Sequence, residues 1–251
     1  MKKTVIVLSV IAIAAAVGFA CFTMRLEEGP TPPDLIDNRN PLDGSGEVDN
    51  GFASTVIIEA VNVENRIGNI DIDNTYPVIK SFKNKEFENS INTKIAGNIS
   101  DYRAEISHIV DEETPDTKLY KYITTFDKYT WGDYLTLVIN QDYQTGGIRS
   151  NSWKDIYNID TKTEQIIYLA DIFSPTVDYE NEIINEIIAN SDVEFMGGEG
   201  LKKLPDNQKF YIKDGKLIIY FDPSEVASAK YGALEFEMPF TLGADGYFKV
   251  D

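Results

Sequence analysis

The spacing of apolar residues along the chain predicts two amphipathic helices. In residues 87–99 an apolar residue recurs at every fourth position, and most of the charged residues lie between these positions. A second stretch, at about residues 179–190, carries pairs of isoleucines at helical spacing. This period places apolar side chains on one face of a helix. Each helix is therefore expected to pack that face against a sheet.

Other segments alternate apolar and polar residues, or hold short apolar runs between turn residues, as β-strands do. The segments with this pattern are 55–72, 120–126, 134–143, 153–159, 165–169, 210–212, 217–221 and 234–240. The pair Asp214-Gly215 predicts a tight hairpin turn. Residues 74–77 predict a break after the first strands, and Asp222-Pro223 predicts the start of a short helical turn.

This order of elements predicts an α+β fold, in which two helices pack on antiparallel β-sheets, preceded by a single N-terminal membrane helix. We expect four segments along the chain. They are a signal anchor or lipoprotein signal at 1–25, a Pro/Gly/Asp-rich linker at 26–52, an N-terminal α+β subdomain at 53–130 and a C-terminal α+β subdomain at 131–251.

The predicted membrane helix rests on an uncharged run near the N-terminus. Residues 4–24 contain no charged side chain and follow Lys2 and Lys3. At helical rise the run spans roughly 30 Å, the thickness of a bilayer's hydrocarbon core. Because the lysines precede the run, we expect the N-terminus in the cytoplasm and the remaining chain on the extracytoplasmic side of the cell membrane, single-pass or lipid-anchored.

Three fates of this segment remain open. The length of the run favours an uncleaved signal anchor. Ala20 favours lipidation at Cys21, although Gly18 stands where an aliphatic residue is usual. Cleavage near residues 14–16 is the third alternative. All three place the predicted domain outside the membrane.

Composition indicates a folded, acidic domain without thiol chemistry. The chain has 251 residues, of which 43% are hydrophobic and 12% aromatic, which suits a packed core. The single cysteine lies in the apolar run, so the rest of the chain has no disulfide and no thiolate metal site. A net charge of −18 disfavours nucleic acid and favours cationic partners. A solvated acidic surface explains the charge equally well.

Several motifs resemble a family of extracellular domains. They are Thr145-Gly146-Gly147, Tyr157-Asn158-Ile159-Asp160, Leu169-Ala170-Asp171-Ile172-Phe173, FYIKDGKLIIYFDPSEVA at 210–227, and Glu237-Met238-Pro239-Phe240. The resemblance is to the RsiV/PdaC-type domain pair, found in the ectodomain of the lysozyme-sensing anti-sigma factor RsiV and in the N-terminal region of the peptidoglycan deacetylase PdaC. The upstream PdaC-type domain is similar around Tyr76-Pro77-Val78-Ile79. The resemblance implies an extracellular ligand-binding module over roughly residues 55–240.

Two departures limit what the resemblance implies. Family members often have a Gly-Gly-Ala-His-Gly turn where this chain reads Gly147-Ile148-Arg149-Ser150, without a histidine. Only residues 1–3 precede the apolar run, so we expect no cytoplasmic domain that holds a sigma factor. The function that carries over is ligand binding outside the cell.

The residues do not favour an enzyme. Thr125-Phe126-Asp127-Lys128 resembles the start of a deacetylase motif but lacks its second acid. His108 is the only histidine, whereas zinc hydrolysis at such a site needs two, and a nucleophile triad has no second histidine to use. Asp71 and Asp73 form a carboxylate pair that alternate exposed strand positions explain. We therefore expect no catalytic residue, no metal site and no cofactor.

Aromatic residues are the best candidates for ligand contact. Tyrosine and tryptophan dominate binding hot spots, although packing inside a β core explains them as well. The predicted contacts are Trp131, Tyr143 and Trp153, together with Arg149 in a connection between two strands at 144–151. Whether these aromatic side chains are buried or exposed separates the two interpretations.

The sequence thus predicts a membrane-anchored extracytoplasmic binding module of the bacterial cell envelope. One candidate partner is a cationic, lysozyme-like protein, because the chain is acidic. The alternatives are peptidoglycan or another glycan, and a structural envelope role without a small ligand. The membrane is a partner through the N-terminal segment, and nucleic acid is not an expected partner.

Overall fold

The computed structural model describes residues 52–113, 120–145, 149–197 and 200–241. The predicted membrane helix, the candidate lipidation site Cys21 and the predicted linker up to residue 51 lie outside these ranges. Neither α-helix in the described ranges carries an apolar stretch of the length that a bilayer crossing requires.

The two predicted helices are confirmed. Helix α1 spans Lys85–Glu113 and runs through Gly97 without interruption. Its first turn is capped by Asn84, whose side-chain oxygen accepts the backbone N–H of Phe87 at 3.1 Å. Helix α2 spans Tyr179–Ala189, and its isoleucine stripe is buried. Packing of these apolar faces, rather than intrinsic propensity, holds both helices in place.

The first sheet has six strands in the order β1-β2-β3-β4-β5-β6. They are β1 Ile58–Ile67, β2 Ile70–Ile79, β3 Tyr120–Trp131, β4 Tyr134–Thr145, β5 Arg149–Asp160 and β6 Gln165–Ile166. Strands β2 and β3 pair in parallel, and the other neighbours pair antiparallel. The parallel pair departs from the predicted antiparallel arrangement because α1 carries the chain across the sheet between these two strands.

The predicted break at residues 74–77 is wrong, because β2 continues through them. Proline has no N–H for a sheet ladder and is usually confined to sheet edges. Strand β3 pairs with β2 only from Ile70 to Asn74. Pro77 therefore lies where β2 has a partner on one side alone, opposite Ala60 of β1.

The second sheet is antiparallel, in the order β7-β8-β9. Its strands are β7 Lys209–Lys213, β8 Lys216–Phe221 and β9 Leu234–Thr241. The predicted hairpin turn at Asp214-Gly215 is confirmed, since both residues have positive φ, 51° and 72°.

The predicted helical turn after Asp222 is wrong. Ser224 has φ 66°, a left-handed conformation that does not continue a right-handed helix, so this segment forms a turn.

Each sheet buries one face against one helix, which gives the α+β architecture. Residues of α1 share a core with alternate residues of β4, including Leu135, Leu137 and Ile139. Helix α2 shares a second core with β7, β8 and β9. Val138 of β4 points the other way and packs with residues of the second sheet. The predicted subdomain boundary between residues 130 and 131 falls at the β3–β4 hairpin, within the first sheet.

Candidate functional site

A groove of about 950 Å³ opens where the two cores meet. Its walls come from α1, from β5, from the segment that follows β6, from the start of α2 and from residues 203–210. The lining side chains with polar or aromatic chemistry include Lys94, Asn98, Asp155, Tyr157, Tyr168, Tyr179, Lys203, Gln208 and Lys209. Elements far apart in sequence thus build one concave surface.

A buried hydrogen-bonded chain fixes one carboxylate in the groove. Gln141 is completely buried, and its Nε2 donates to Asp155 Oδ2 at 2.6 Å. The hydroxyl of Tyr122, also completely buried, donates to Gln141 Oε1. All three side chains project from the face of the first sheet that α1 covers. Asp155 remains 8% exposed and lines the groove, so this chain connects the groove with the interior of the first core.

The protonation of Asp155 depends on its surroundings. Burial raises the pKa of Asp155 above its usual value, while the charge of Lys209 and hydrogen bonds from Asn98 and Gln141 act in the opposite direction. An acid with a raised pKa binds its proton more tightly in the folded state than in the unfolded chain. As pH rises from about 3.9, the pKa in the unfolded chain, through the higher pKa in the folded state, deprotonation of Asp155 therefore lowers the free energy of unfolding.

Replacing Asp155 with asparagine is expected to remove this pH dependence. The amide is isosteric and its oxygen still accepts from Gln141, so the fold should be retained. The free energy of unfolding of the wild-type protein minus that of the variant should be larger at pH 4 than at pH 7. Urea unfolding of both proteins at the two pH values measures the difference. If the difference between wild type and variant is the same at pH 4 and pH 7, the pKa of Asp155 is not raised.

Gln208 forms a rigid part of the groove. It is 8% exposed, and its Nε2 donates to the carbonyl oxygens of Lys209, at 2.8 Å, and Tyr220, at 2.7 Å. Both acceptors are carbonyls, so the orientation of the amide is determined. Its Oε1 is buried and has no hydrogen-bond partner within the described part of the chain. The groove therefore contains an amide that cannot turn to suit a ligand.

One aromatic side chain in the groove is exposed. Tyr168 is 61% exposed, although it lies in an apolar run at the start of a short 3-10 helix. Beside it in the lining, Tyr179 stacks on Phe173 with ring centroids 4.8 Å apart. Tyr157 is buried, and its hydroxyl accepts a hydrogen bond from Asn98 at 3.0 Å. The groove thus combines an open aromatic face with buried polar groups.

The groove is less acidic than the rest of the protein. Its charged lining consists of three lysines and three acids, namely Lys94, Lys203, Lys209, Asp155, Glu180 and Asp206. The whole chain has 23 basic and 41 acidic residues. The lining of the groove therefore carries no net charge that would select a cationic ligand.

The structure does not gather the predicted contact residues into this groove. Trp131 is half-buried, stacks on Tyr134 at 5.9 Å and packs against the second core. Tyr143 is 4% exposed in the first core. Trp153 packs on Tyr102 at 5.0 Å, and neither tryptophan nor Tyr143 is among the residues that line the groove. Arg149 begins β5, and its side chain lies outside the described part of the structure.

The acidic pair lies in β2, and the deacetylase-like motif lies in β3. Asp71 and Asp73 occupy alternate positions of β2, and each pairs with a cation, Arg66 at 3.6 Å and Lys121 at 3.2 Å. Phe126 packs against the first core, and Asp127 is exposed, as predicted. The side chain of His108 lies outside the described residues. Within the described ranges, no three histidine, cysteine or acidic side chains are grouped in a way that would hold a metal ion.

Sequence reasoning missed the residues of the groove, although a signal was present for Asp155 and for Gln141, the buried residue that donates to it. Gln141 follows Leu135, Leu137 and Ile139 at the same alternation. Asp155 occupies an inward position of β5, between Trp153 and Tyr157, which both pack in the first core. A polar side chain at an inward strand position must find a buried partner. Tyr168 carried no such signal, because its apolar run predicts burial.

Comparisons with known proteins bear on the C-terminal part of the chain and on the fold. Residues 170–241 match the family model described as "Protein of unknown function (DUF3298)". No curated protein matches the chain. The matched residues include α2, the second sheet and the 203–210 wall of the groove.

Two solved structures of DUF3298 family members resemble the chain. One, from Bacteroides fragilis NCTC 9343, is 14% identical, with a TM-score of 0.52, and the match covers 78% of this chain and 96% of that one. The other, from Pseudomonas aeruginosa PAO1, is 13% identical, with a TM-score of 0.48, and the match covers 75% of this chain and 93% of that one. At this identity the first likeness bears on fold alone: the chain shares the fold of the Bacteroides protein and carries a DUF3298 match at 170–241.

Proposed function

We propose that this protein is a non-enzymatic binding module on the extracytoplasmic side of the cell envelope, and that its groove binds a glycan of the peptidoglycan type. The observation that carries the proposal is the exposed ring of Tyr168 in a groove with buried amide and carboxylate groups. The envelope location rests on the apolar N-terminal run and on the resemblance to RsiV/PdaC-type domains.

Sugar chemistry matches this combination of groups. A pyranose ring has an apolar face that packs on an aromatic ring, and a rim of hydroxyl and amide groups that both donate and accept hydrogen bonds. The groove supplies acceptors from Asp155 and donors from Lys94. Its volume of about 950 Å³ is at the upper end of the ~300–1,000 Å³ range of small-molecule sites, which leaves room for more than one ring.

Replacing Tyr168 with alanine is expected to weaken glycan binding about tenfold. An aromatic contact contributes ~0.5–1.5 kcal/mol beyond simple burial, and 1.4 kcal/mol corresponds to a factor of ten in affinity. Tyr168→Phe keeps the ring and should retain affinity to within about twofold. Calorimetry with soluble peptidoglycan glycan strands, freed of peptide, measures both effects.

A matched control removes an exposed apolar side chain elsewhere. Ile57 is 59% exposed and does not line the groove, so Ile57→Ala should leave glycan affinity unchanged. Absence of binding by the wild-type protein, or equal loss in the Ile57 and Tyr168 variants, would contradict the proposal.

A cationic, lysozyme-like protein is the second candidate ligand. The observation that favours it is α2, which carries acidic residues in its first turn and no basic residue in its last turn. Glu182 lies on its exposed side. Such a partner would be steered by the net charge of −18. Its binding would fall with salt and would not change in Tyr168→Ala, which separates it from a glycan in the groove.

A further inference from the structure

Lys94 has a different environment from the other lysines of the groove. Lys203 pairs with Asp206 at 2.5 Å, and Lys209 pairs with Asp222 at 2.6 Å. The Nζ atom of Lys94 lies 6.0 Å from the centroid of the Tyr157 ring, and no carboxylate from the described part of the chain lies within 4.0 Å of it. An exposed ammonium group at the wall of the groove therefore has an aromatic neighbour but no counter-ion among the described residues.

Lys94 lies on the wall of the groove that α1 forms. Lys94 and Asn98 are four residues apart in α1, so they share one side of the helix. The buried carboxylate of Asp155 belongs to β5. An anionic group on a ligand would be repelled by Asp155 and attracted by Lys94. Since Lys203 and Lys209 are each paired with an acid, Lys94 is the lining cation that we expect to attract an anion on a ligand.

Building on the proposed function, we propose that the glycan carries a carboxylate and that Lys94 binds this carboxylate. One lysine suits a single negative charge, whereas phosphate groups are usually held by several donors or by the fork of an arginine. A net charge of −18 also opposes the approach of a polyanion. The ligand class is therefore an otherwise neutral glycan with an acidic substituent or an acidic sugar.

The test compares a carboxylate with its neutral isostere on one sugar. The probes are the N-acetylglucosamine–N-acetylmuramic acid disaccharide and the same disaccharide with its lactyl carboxylate converted to the carboxamide. We expect wild-type protein to bind the carboxylate about fivefold more tightly at low salt, the order of a partly exposed ion pair. Lys94→Gln should bind both forms with the affinity that wild type has for the carboxamide.

Lys162→Gln is the charge-matched control. Lys162 is exposed on the turn after β5 and does not line the groove. This variant changes the net charge by the same amount, so it should keep the fivefold preference. Loss of the preference in both lysine variants would assign it to overall charge and overturn the inference.

The outcomes separate this inference from the proposed function. If wild-type protein binds neither disaccharide, the proposed function fails and the inference fails with it. If it binds both forms equally, the glycan site stands and the role of Lys94 is refuted.

A hexuronate disaccharide forms the third arm. Binding that depends on Lys94 for both acids supports recognition of the carboxylate in general, and binding of the muramic acid alone supports recognition of the lactyl group.

Discussion

Replacing Gln141 with leucine is expected to lower the free energy of unfolding by about 1–3 kcal/mol at pH 7, because it removes one of the hydrogen-bond donors of a buried carboxylate. Gln141 is the only link in the described structure between the hydroxyl of Tyr122 and the carboxylate of Asp155. Leucine has a similar volume, so the loss comes from unpaired polar groups rather than from a cavity. Urea unfolding at pH 7 measures it.

The neighbouring residue and a double variant provide controls. Asn140 donates to Asp127 at an exposed site, so Asn140→Ala should cost less than about 0.5 kcal/mol. Adding Asp155→Asn to Gln141→Leu removes the carboxylate that lost this hydrogen bond and should recover part of the loss. A Gln141→Leu variant as stable as wild type would show that the buried chain does not support the fold.

Replacing Asn158 with leucine is expected to lower the free energy of unfolding by about 2–4 kcal/mol, since it leaves two buried polar groups without partners. Asn158 is 5% exposed. Its Nδ2 donates to the carbonyl oxygen of Phe210 at 2.8 Å, and its Oδ1 accepts from Thr136 at 2.7 Å. The first bond joins β5 of the six-stranded sheet to β7 of the second sheet.

A double-mutant cycle isolates the contribution of the Thr136 hydroxyl. Thr136→Val alone leaves Asn158 Oδ1 unpaired, whereas Thr136→Val with Asn158→Leu removes both groups. The two losses should therefore not add, with a coupling of about 0.5–3 kcal/mol. Additive losses would mean that the hydrogen bond between these side chains contributes little to the junction of the two sheets.

Local patterns in the sequence predict most of the elements. The four-residue period at 87–99 predicts a helix, and the alternation of Leu135, Leu137 and Ile139 predicts a strand with one face in a core; both are confirmed. The turn at Asp214-Gly215 follows from the two residues that adopt positive φ. These features depend on neighbours in sequence, which a single chain displays directly.

Features that depend on tertiary pairing are not predictable in this way. The parallel pairing of β2 and β3 depends on where α1 returns the chain. Pro77 is tolerated in β2 because β3 does not extend to it. The groove shows the same limit. Its walls lie far apart in sequence, and Tyr168 is exposed although its neighbour Leu169 in the apolar run is buried.

The most direct test of glycan binding in the groove is a titration of the isotopically labelled protein with a peptide-free peptidoglycan tetrasaccharide, followed by ¹H–¹⁵N correlation spectra. We predict saturable shifts of backbone amides at 94–98, 155–158, 166–170 and 203–210, the segments that line the groove. Shifts confined to other parts of the chain, or no shifts at millimolar glycan, would contradict the proposed function.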